Sequence, residues 1–382
     1  MVDQALGDRR LAKSTVEVKS GGVDGAIAYF GSRPTPALIV IEATETGDKL
    51  VEQINILAEV CDSGARVIVL GSVNDVETYR TLIQRGVSDY LAPPFTSKQI
   101  IESVAAICID PAEPSLGRVI SFISAKGGAG SSTIAHNTAW HLARLFGDDV
   151  AVLDLDLAFG TLGLAFNTES VQSISEVLAH PDRLDEVLLE RFMVKRDDHL
   201  MLLTAPGSLD TDGEVDVESF DVLLDLVRRA APFVVLDMPY HWSRWTGHVL
   251  SQSDEIVMTS TLDLACLRDS KTIFNTLTET RVNDAPIRLV LNHLGAYRKS
   301  QLSVKDFEST LGVPPALVVQ HDPVLFGTAA NNGQMIGDVN KRNRVNDGLR
   351  KLAEIISGRE TNKSKKKGKG ALSFFKGSNR KG

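Results

Sequence analysis

Short apolar runs alternate with amphipathic stretches in the first third of the chain. Two segments have the pattern of buried strands and two have apolar residues at helical spacing, namely residues 37–41 and 66–70, then 75–85 and 97–109. A chain that alternates strands with helices forms a parallel sheet covered by helices on both faces. We therefore predict a small α/β domain at residues 15–110, after a flexible N-terminus at residues 1–14.

A longer alternation of the same kind follows a short linker. Two prolines in residues 111–117 predict this linker. Five candidate strands come after it, at residues 119–123, 150–153, 233–236, 255–259 and 287–291. Because helical or loop sequence follows each strand, we predict a doubly wound parallel sheet over residues 118–358, with its last helix at residues 345–357.

The composition is that of a globular protein. The chain has 382 residues, of which 43% are hydrophobic and 24% are charged. No window approaches the roughly 18 consecutive apolar residues of a membrane helix, and the N-terminal residues lack the apolar core of a secretory signal. Three cysteines lie far apart and form no CxxC pair: Cys61, Cys108 and Cys266. These features predict a cytoplasmic protein.

The net charge of −8 conceals a strongly basic end. Residues 359–382 contain nine lysine and arginine residues and one glutamate, so this segment carries +8 and leaves −16 on residues 1–358. An acidic body disfavours nucleic-acid binding by the folded part. The basic segment has the composition of a disordered tail, and we expect it to bind an anionic membrane surface. A purely solubilising tail and a nucleic-acid contact are the alternatives.

The most informative segment joins the first strand of the longer unit to a helix. Its glycines let backbone N–H groups point inward, and the helix start that follows adds its positive dipole end. The order of strand, glycines, hydroxyl residues and helix predicts a phosphate-binding loop. The candidate nucleotide-binding residues are Lys126, Gly127, Gly128, Ala129, Gly130, Ser131, Ser132 and Thr133.

Acidic residues end two later strands. Asp154 and Asp156 follow an apolar run, and we expect them to point the same way because side chains alternate along a strand. Asp237 ends another buried run, FVVLD. Phosphoryl transfer needs a carboxylate to hold Mg²⁺ and another group to orient water, so these residues are the metal-site candidates.

The loop and the carboxylates resemble those of the MinD/ParA ATPases, whose loop KGGxGK[ST]T has a signature lysine at its front. The resemblance implies ATP and Mg²⁺ as cofactors. It implies that Lys126 reaches the nucleotide of a dimer partner and that Ser132 supplies the Mg²⁺-binding hydroxyl. It also implies that Asp237 binds Mg²⁺ through water, that Asp156 positions the attacking water, and that Asp154 has a metal or structural role.

Two later segments resemble the base pocket of the same family. Asn292 ends a candidate strand and matches the asparagine that contacts adenine. His321-Asp322-Pro323 resembles the IPxDP loop, which implies that Pro323 lies near the base. An asparagine at a strand end is also a common turn residue, so a purely structural role for Asn292 is the alternative.

The shorter unit resembles a receiver domain. Residues 86–95 (GVSDYLAPPF) match the end of response-regulator receivers, but Glu42 stands at the phosphoacceptor position and Pro93 at the lysine position. This implies a degenerate flavodoxin-like receiver that serves in docking or dimerisation. Together with the MinD-like motifs, it makes residues 15–357 resemble the CpaE/TadZ family of Flp (tad) type IVb pilus assembly proteins.

That resemblance implies a nucleotide-dependent homodimer that localises and assembles the pilus secretion machinery. Its expected partners are the pilus secretion ATPase and other tad/Flp assembly proteins, and its expected location is the inner membrane, often at a cell pole. Ser131 replaces the second lysine of the family loop. This replacement favours weak ATPase activity at most, and a pseudo-ATPase scaffold is the first alternative. A MinD/ParA-like positioning ATPase for DNA, division or flagella is the second.

Overall fold

A computed structural model describes Ala5 and residues 8–11, 14–108, 116–168, 172–209 and 215–359 of the chain. Most of the predicted linker and the basic tail beyond Arg359 lie outside these residues. The contacts divide the chain into two units, Met1–Pro114 and Ser115–Gly382. No helix in the described part is both long and apolar enough to cross a membrane.

The first unit contains a parallel three-stranded sheet with helices on both faces. Its elements are α1 (Gly22–Phe30), β1 (Leu38–Glu42), α2 (Gly47–Val60), β2 (Arg66–Leu70), α3 (Val76–Gln84), β3 (Asp89–Leu91) and α4 (Ser97–Cys108). The strand order is β1-β2-β3. Both predicted strands and both predicted helices are present, and this small parallel sheet is consistent with a receiver-like domain.

Alternation along β2 divides the core of this unit between the two faces of the sheet. Val69 packs with residues of α2, such as Leu50, on one face, whereas Ile68 packs with Ile101 of α4 on the other. Within the N-terminal segment that was expected to be loose, Arg9–Leu11 form a short 3-10 helix, and Leu11 joins the second cluster.

The second unit holds a larger sheet. Its strands are β4 (Arg118–Ser124), β5 (Val150–Asp154), β6 (Val194–Asp197), β7 (Leu200–Leu203), β8 (Phe233–Asp237), β9 (Glu255–Thr261), β10 (Arg288–Leu294) and β11 (Pro315–Gln320). Its helices are α5 (Ser131–Phe146), α6 (Leu162–Ala165), α7 (Ile174–Ala179), α8 (Glu186–Phe192), α9 (Val217–Ala230), α10 (Arg244–Gln252), α11 (Leu264–Thr280), α12 (Val304–Leu311), α13 (Pro323–Asn332), α14 (Ile336–Val339) and α15 (Arg344–Ile356).

The strand order is β11-β10-β9-β4-β8-β5-β7-β6, and only the β6–β7 pair is antiparallel. This confirms the predicted α/β fold with a mainly parallel sheet. The five predicted strands differ from the observed ones by at most three residues at either end. Sequence analysis missed β6, β7 and β11. Strand β6 is polar (VKRD), and β7 is an apolar run of only four residues (LMLL), which periodicity alone does not distinguish from a helix segment.

Strand β4 lies between β8 and β9 and is almost entirely buried. Val119 and Ile123 face one hydrophobic cluster, which α9, α10 and α11 cover. Ile120 and Phe122 face the other, which α5 and α15 cover. The carboxyl end of this strand therefore opens at the centre of a rigid sheet, where ligands of open α/β sheets bind.

Helices α5 and α15 pack against each other through polar as well as apolar contacts. His141 Nε2 lies 3.0 Å from Asn346 Oδ1 in a buried position. Burial lowers the pKa of His141 to about 4, although the bond to Asn346 opposes this change. This imidazole is therefore a neutral, structural member of the core at neutral pH.

The described chain ends at Arg359, whose guanidinium lies 4.9 Å from the centre of the Phe233 ring and contacts the Asp148 carboxylate. Phe233 is the first residue of β8. Arg359 therefore lies at the amino ends of the parallel strands, opposite the carboxyl edge that carries the glycine-rich loop.

Candidate functional site

The loop between β4 and α5 has the backbone geometry of a phosphate cradle. Gly128 and Gly130 have φ angles of 80° and 90°, which strongly favour glycine. The Ala129 N–H donates to the Lys126 carbonyl at 3.2 Å, and α5 begins at Ser131. The turn is therefore tight, and the free N–H groups of the first turn of α5 lie at its end.

Asn292, near the end of β10, holds this loop. Its Nδ2 donates to the Ala129 carbonyl at 2.9 Å, and its Oδ1 accepts from the His293 N–H at 2.8 Å. A Cβ at Gly130 would lie only 2.5 Å from this Nδ2. What the structure shows is thus a brace on the loop, and the base contact expected of Asn292 stays a prediction.

Two histidines continue the brace. His293 has a φ of 57°, unusual for a residue other than glycine, and its Nδ1 lies 3.2 Å from His321 Nδ1. Burial and the nearby His321 lower the pKa of His293, while a hydrogen bond to the Gly128 backbone opposes the shift. Asn292 and His293 therefore contact consecutive residues of the loop, which fixes its backbone from the side of β10.

Asp237 and Asp154 end neighbouring strands and are paired in register. Both are buried, and His136 of α5 approaches Asp237 with Nε2 2.9 Å from Oδ2. Among the described atoms, Asp237 Oδ1 is buried and has no hydrogen-bond partner. A buried carboxylate oxygen without a partner is costly, and a bound cation with its water shell would satisfy it.

Asp154 uses both carboxylate oxygens to fix the chain that follows β5. Oδ1 accepts from the Asp156 N–H at 3.3 Å, and Oδ2 accepts from the Leu162 N–H at 3.0 Å. A Cβ at Gly160 would lie 2.4 Å from Oδ2. Burial, followed by the charge of Asp237, raises the pKa of Asp154 to about 7. Of the two roles expected for Asp154, this geometry favours the structural one.

The expectation that Asp154 and Asp156 share one strand orientation is wrong. Strand β5 ends at Asp154, and the chain turns there because the Asp154 carboxylate accepts from the backbone of Asp156. Asp156 is half-buried in the following loop, where its Oδ1 accepts from the Phe159 N–H at 3.1 Å. One acid is therefore built into the core and the other lies at its rim.

The residues around the loop differ in exposure. Lys126 is exposed, Ser132 is half-buried and Thr133 is exposed. Ser131 is buried, and its hydroxyl has no partner among the described atoms. The Ser131 hydroxyl is thus a second buried polar group without a partner in the described residues, and it lies on the first turn of α5 beside the glycine-rich loop.

These orphaned atoms and the open cradle fit a nucleotide phosphate with Mg²⁺. The described residues contain no group of three or more His, Cys, Asp or Glu side chains that could hold a metal ion by themselves. A magnesium ion here would therefore take most of its ligands from phosphate oxygens and water, as Mg²⁺ usually does in phosphate-transfer sites.

Comparison with known proteins agrees with this geometry. Residues 117–286 match the AAA domain family. The septum site-determining protein MinD of Synechocystis sp. is 25% identical over 224 residues, which cover 57% of this chain and 81% of that relative. A ParA family ATPase from Chlorobium tepidum has the same fold, with a TM-score of 0.57 at 23% identity over 62% of this chain and 98% of that one. The second unit therefore has the fold of MinD/ParA P-loop NTPases.

A pilus assembly protein, CpaE from Caulobacter crescentus, is 38% identical where it aligns. The alignment covers 28% of this chain and 86% of that chain, with a TM-score of 0.27. It therefore decides nothing about the fold of either unit.

A cavity of about 420 Å³ lies beside the glycine-rich loop, on the side of β10 and β11. Lys126, Asp263 and His321 are among its lining residues. Burial alone would raise the pKa of Asp263, but hydrogen bonds from Thr261 and Cys266 and the charge of Lys126 hold it below the usual value. Pro323 is the first residue of α13, just after β11, and Asp322 caps that helix.

Sequence analysis missed two residues of this site, His136 and His293, and named His321 only as the start of the loop expected near the base. His136 and His141 lie five positions apart in the sequence and form no HxxxH or HExxH motif, so the pattern gave His136 no functional signal. The signal that was available is positional, since His293 directly follows the strand-end asparagine and His321 directly precedes the Asp-Pro pair.

Replacing Gly130 with alanine tests the brace. We expect Gly130→Ala to destabilise the protein by about 1–3 kcal/mol, because alanine disfavours a φ of 90° and its Cβ would press on Asn292. Gly127→Ala is the matched control, since its Cβ would meet Tyr240 at an ordinary 3.6 Å. Urea unfolding measures the stability of both variants. Equal free energies of unfolding would show that the contact between Asn292 and the loop does not restrict position 130.

Proposed function

We propose that this chain binds ATP with Mg²⁺ and uses the bound nucleotide to switch between monomer and homodimer. The observation that carries the proposal is Asp237, whose buried Oδ1 has no partner among the described residues and lies near a glycine cradle at a helix start. A structural turn would not need an unsatisfied carboxylate at its base, because such a group costs about 1–3 kcal/mol.

The side chains divide the work as follows. Backbone N–H groups of residues 127–133 hold the phosphates, and the helix dipole of α5 favours their negative charge. Ser132 and Asp237 would hold Mg²⁺. Asp154 fixes the loop after β5, which carries Asp156. Bound Mg²⁺ neutralises phosphate charge, and Asp156 is placed at the rim to orient a water molecule.

Lys126 is the residue we assign to the partner subunit's nucleotide. It is exposed at the front of the loop. Position 131, where the family loop has its second lysine, is instead a buried serine. Five large apolar residues follow the carboxyl ends of the strands and are 60–76% exposed: Phe159, Tyr240, Leu264, Tyr297 and Val324. This apolar rim around the cradle is suited to a second copy of the chain.

Lys126→Ala separates nucleotide binding from dimerisation. We expect ATP affinity to stay within about threefold of wild type, whereas ATP-dependent dimerisation weakens about 10–100-fold, because a charge-assisted hydrogen bond contributes about 1.5–3 kcal/mol. Lys305→Ala, an exposed lysine on α12, is the control. Fluorescence anisotropy and analytical ultracentrifugation with and without ATP measure both quantities. A wild-type chain that stays monomeric with saturating ATP would contradict the switch.

Ser131 supports a second candidate, a pseudo-ATPase scaffold. A lysine at this position would reach the β- and γ-phosphates, and the serine hydroxyl cannot. Our proposal therefore includes only slow hydrolysis.

Single-turnover phosphate release distinguishes the two candidates. We expect Asp156→Ala to slow release about 100-fold, because a positioned proton-accepting group contributes about that factor or more. Asp198→Ala, an exposed acid of the β6–β7 hairpin, should leave the rate unchanged. Equal rates for wild type and Asp156→Ala would favour the scaffold.

We further propose that the chain acts in localisation and assembly of the Flp (tad) type IVb pilus machinery, with the secretion ATPase and other tad/Flp proteins as partners. The support is the pairing of a receiver-like unit that has Glu42 at its strand end with a MinD/ParA-type domain. Deleting the gene in its own bacterium should remove surface Flp pili, as seen by electron microscopy. Normal piliation would instead favour positioning of DNA, division or flagella.

The basic tail provides a membrane contact in this proposal. It starts at Arg359, opposite the nucleotide edge, so membrane binding would leave the apolar rim accessible. Each lysine or arginine near an anionic surface contributes about 1 kcal/mol. We expect the full chain to sediment with phosphatidylserine-containing vesicles and to be released by salt, whereas a chain ending at Gly358 stays in the supernatant. Equal sedimentation of both chains would exclude this role for the tail.

A further inference from the structure

His136 has no role in the function proposed above, yet it contacts the residue that carries that proposal. It lies in the second turn of α5 and is 1% exposed. Its Nε2 is 2.9 Å from Asp237 Oδ2, and the carboxylate is 2% exposed. A contact this short between two buried polar groups at the base of the cradle constrains how the carboxylate is oriented.

The imidazole determines which oxygen of Asp237 is free. A carboxylate oxygen accepts, so His136 Nε2 carries the proton and donates. Oδ2 is thereby occupied, and Oδ1 is buried without a partner in the part of the chain that the structure describes. Asp154, at the paired position of the neighbouring strand, is already engaged by two backbone N–H groups. Asp237 Oδ1 is thus the free carboxylate oxygen of this buried pair.

The ring itself is held on a second side. Its centre lies 6.0 Å from that of Phe166, just beyond α6, with an angle of 49° between the planes. Helix α6 begins at Leu162, whose N–H donates to Asp154. The histidine is therefore packed between the acidic pair and a segment that the same pair fixes, so its orientation is set by the core rather than by solvent.

We propose that His136 is a positioning residue for Asp237, which holds Oδ2 so that Oδ1 is presented to the magnesium ion of the bound nucleotide. This inference rests on the proposed function. His136 contributes to the extra affinity for nucleotide that Mg²⁺ provides, and it contributes nothing to affinity for nucleotide alone. A histidine that only fills space in α5 would affect both affinities equally or neither.

The test compares two substitutions. His136→Leu fills much of the same volume but has no donor, whereas His136→Gln can place an N–H near the position of Nε2. A fluorescent ATP analogue is titrated with Mg²⁺ and with EDTA. We expect His136→Leu to lose about tenfold of the Mg²⁺-dependent affinity, His136→Gln to stay within about threefold of wild type, and affinity in EDTA to stay unchanged for both.

His141→Gln is the matched control, because His141 is a second buried histidine of α5 that bonds Asn346 and not an acid. It should bind the analogue as wild type does in both conditions. In the Asp237→Asn background, adding His136→Leu should cause no further loss. That double variant keeps the test valid if His136→Leu alone folds poorly, because a charged Asp237 is then not left unpaired.

The outcomes separate the two proposals. If wild type binds the analogue with Mg²⁺ and His136→Leu has the same Mg²⁺ dependence, the role of His136 is overturned and the proposed function stands. Equal losses with Mg²⁺ and with EDTA also overturn it, because they indicate a purely structural histidine. If wild type shows no Mg²⁺-dependent binding, both proposals fail.

Discussion

Two buried carboxylates at the ends of neighbouring strands are the constraint on which the rest of this site depends. Asp154 and Asp237 are in register on β5 and β8, and both side chains are buried from solvent. Each must therefore be satisfied by something the fold provides. The chain satisfies Asp154 with backbone N–H groups of the following loop and Asp237 with one histidine. Within the described residues, this leaves one oxygen of Asp237 unpaired at the base of the cradle.

The glycine-rich loop is held by residues of β10, which lies on the other side of β4 from the two carboxylates. Asn292 and His293 contact its carbonyl side, so contacts within the fold restrain the loop backbone. In the proposed function this restraint matters because serine stands at position 131, where a lysine would add charge at the phosphates. The proposed site uses instead backbone N–H groups, a helix dipole and a lysine that faces outward.

The two units have different chemical content. The family match, residues 117–286, lies in the second unit. In the first unit β1 ends in Glu42, the residue at the position that resembles the receiver phosphoacceptor. Its helices pack apolar residues onto both faces of a three-stranded sheet.

The sequence alone determined the class of fold and indicated the glycine-rich loop as the candidate site. Continuous apolar runs such as those of β4 and β8 are unambiguous, and a glycine-rich turn between strand and helix has few other uses. Contacts between residues far apart in the chain were decided only by tertiary structure. His136 meets Asp237 across 101 positions, and Asn292 meets Ala129 across 163. The turn after Asp154 had no periodic signal, because it is formed by a side chain that bonds backbone N–H groups beyond its strand.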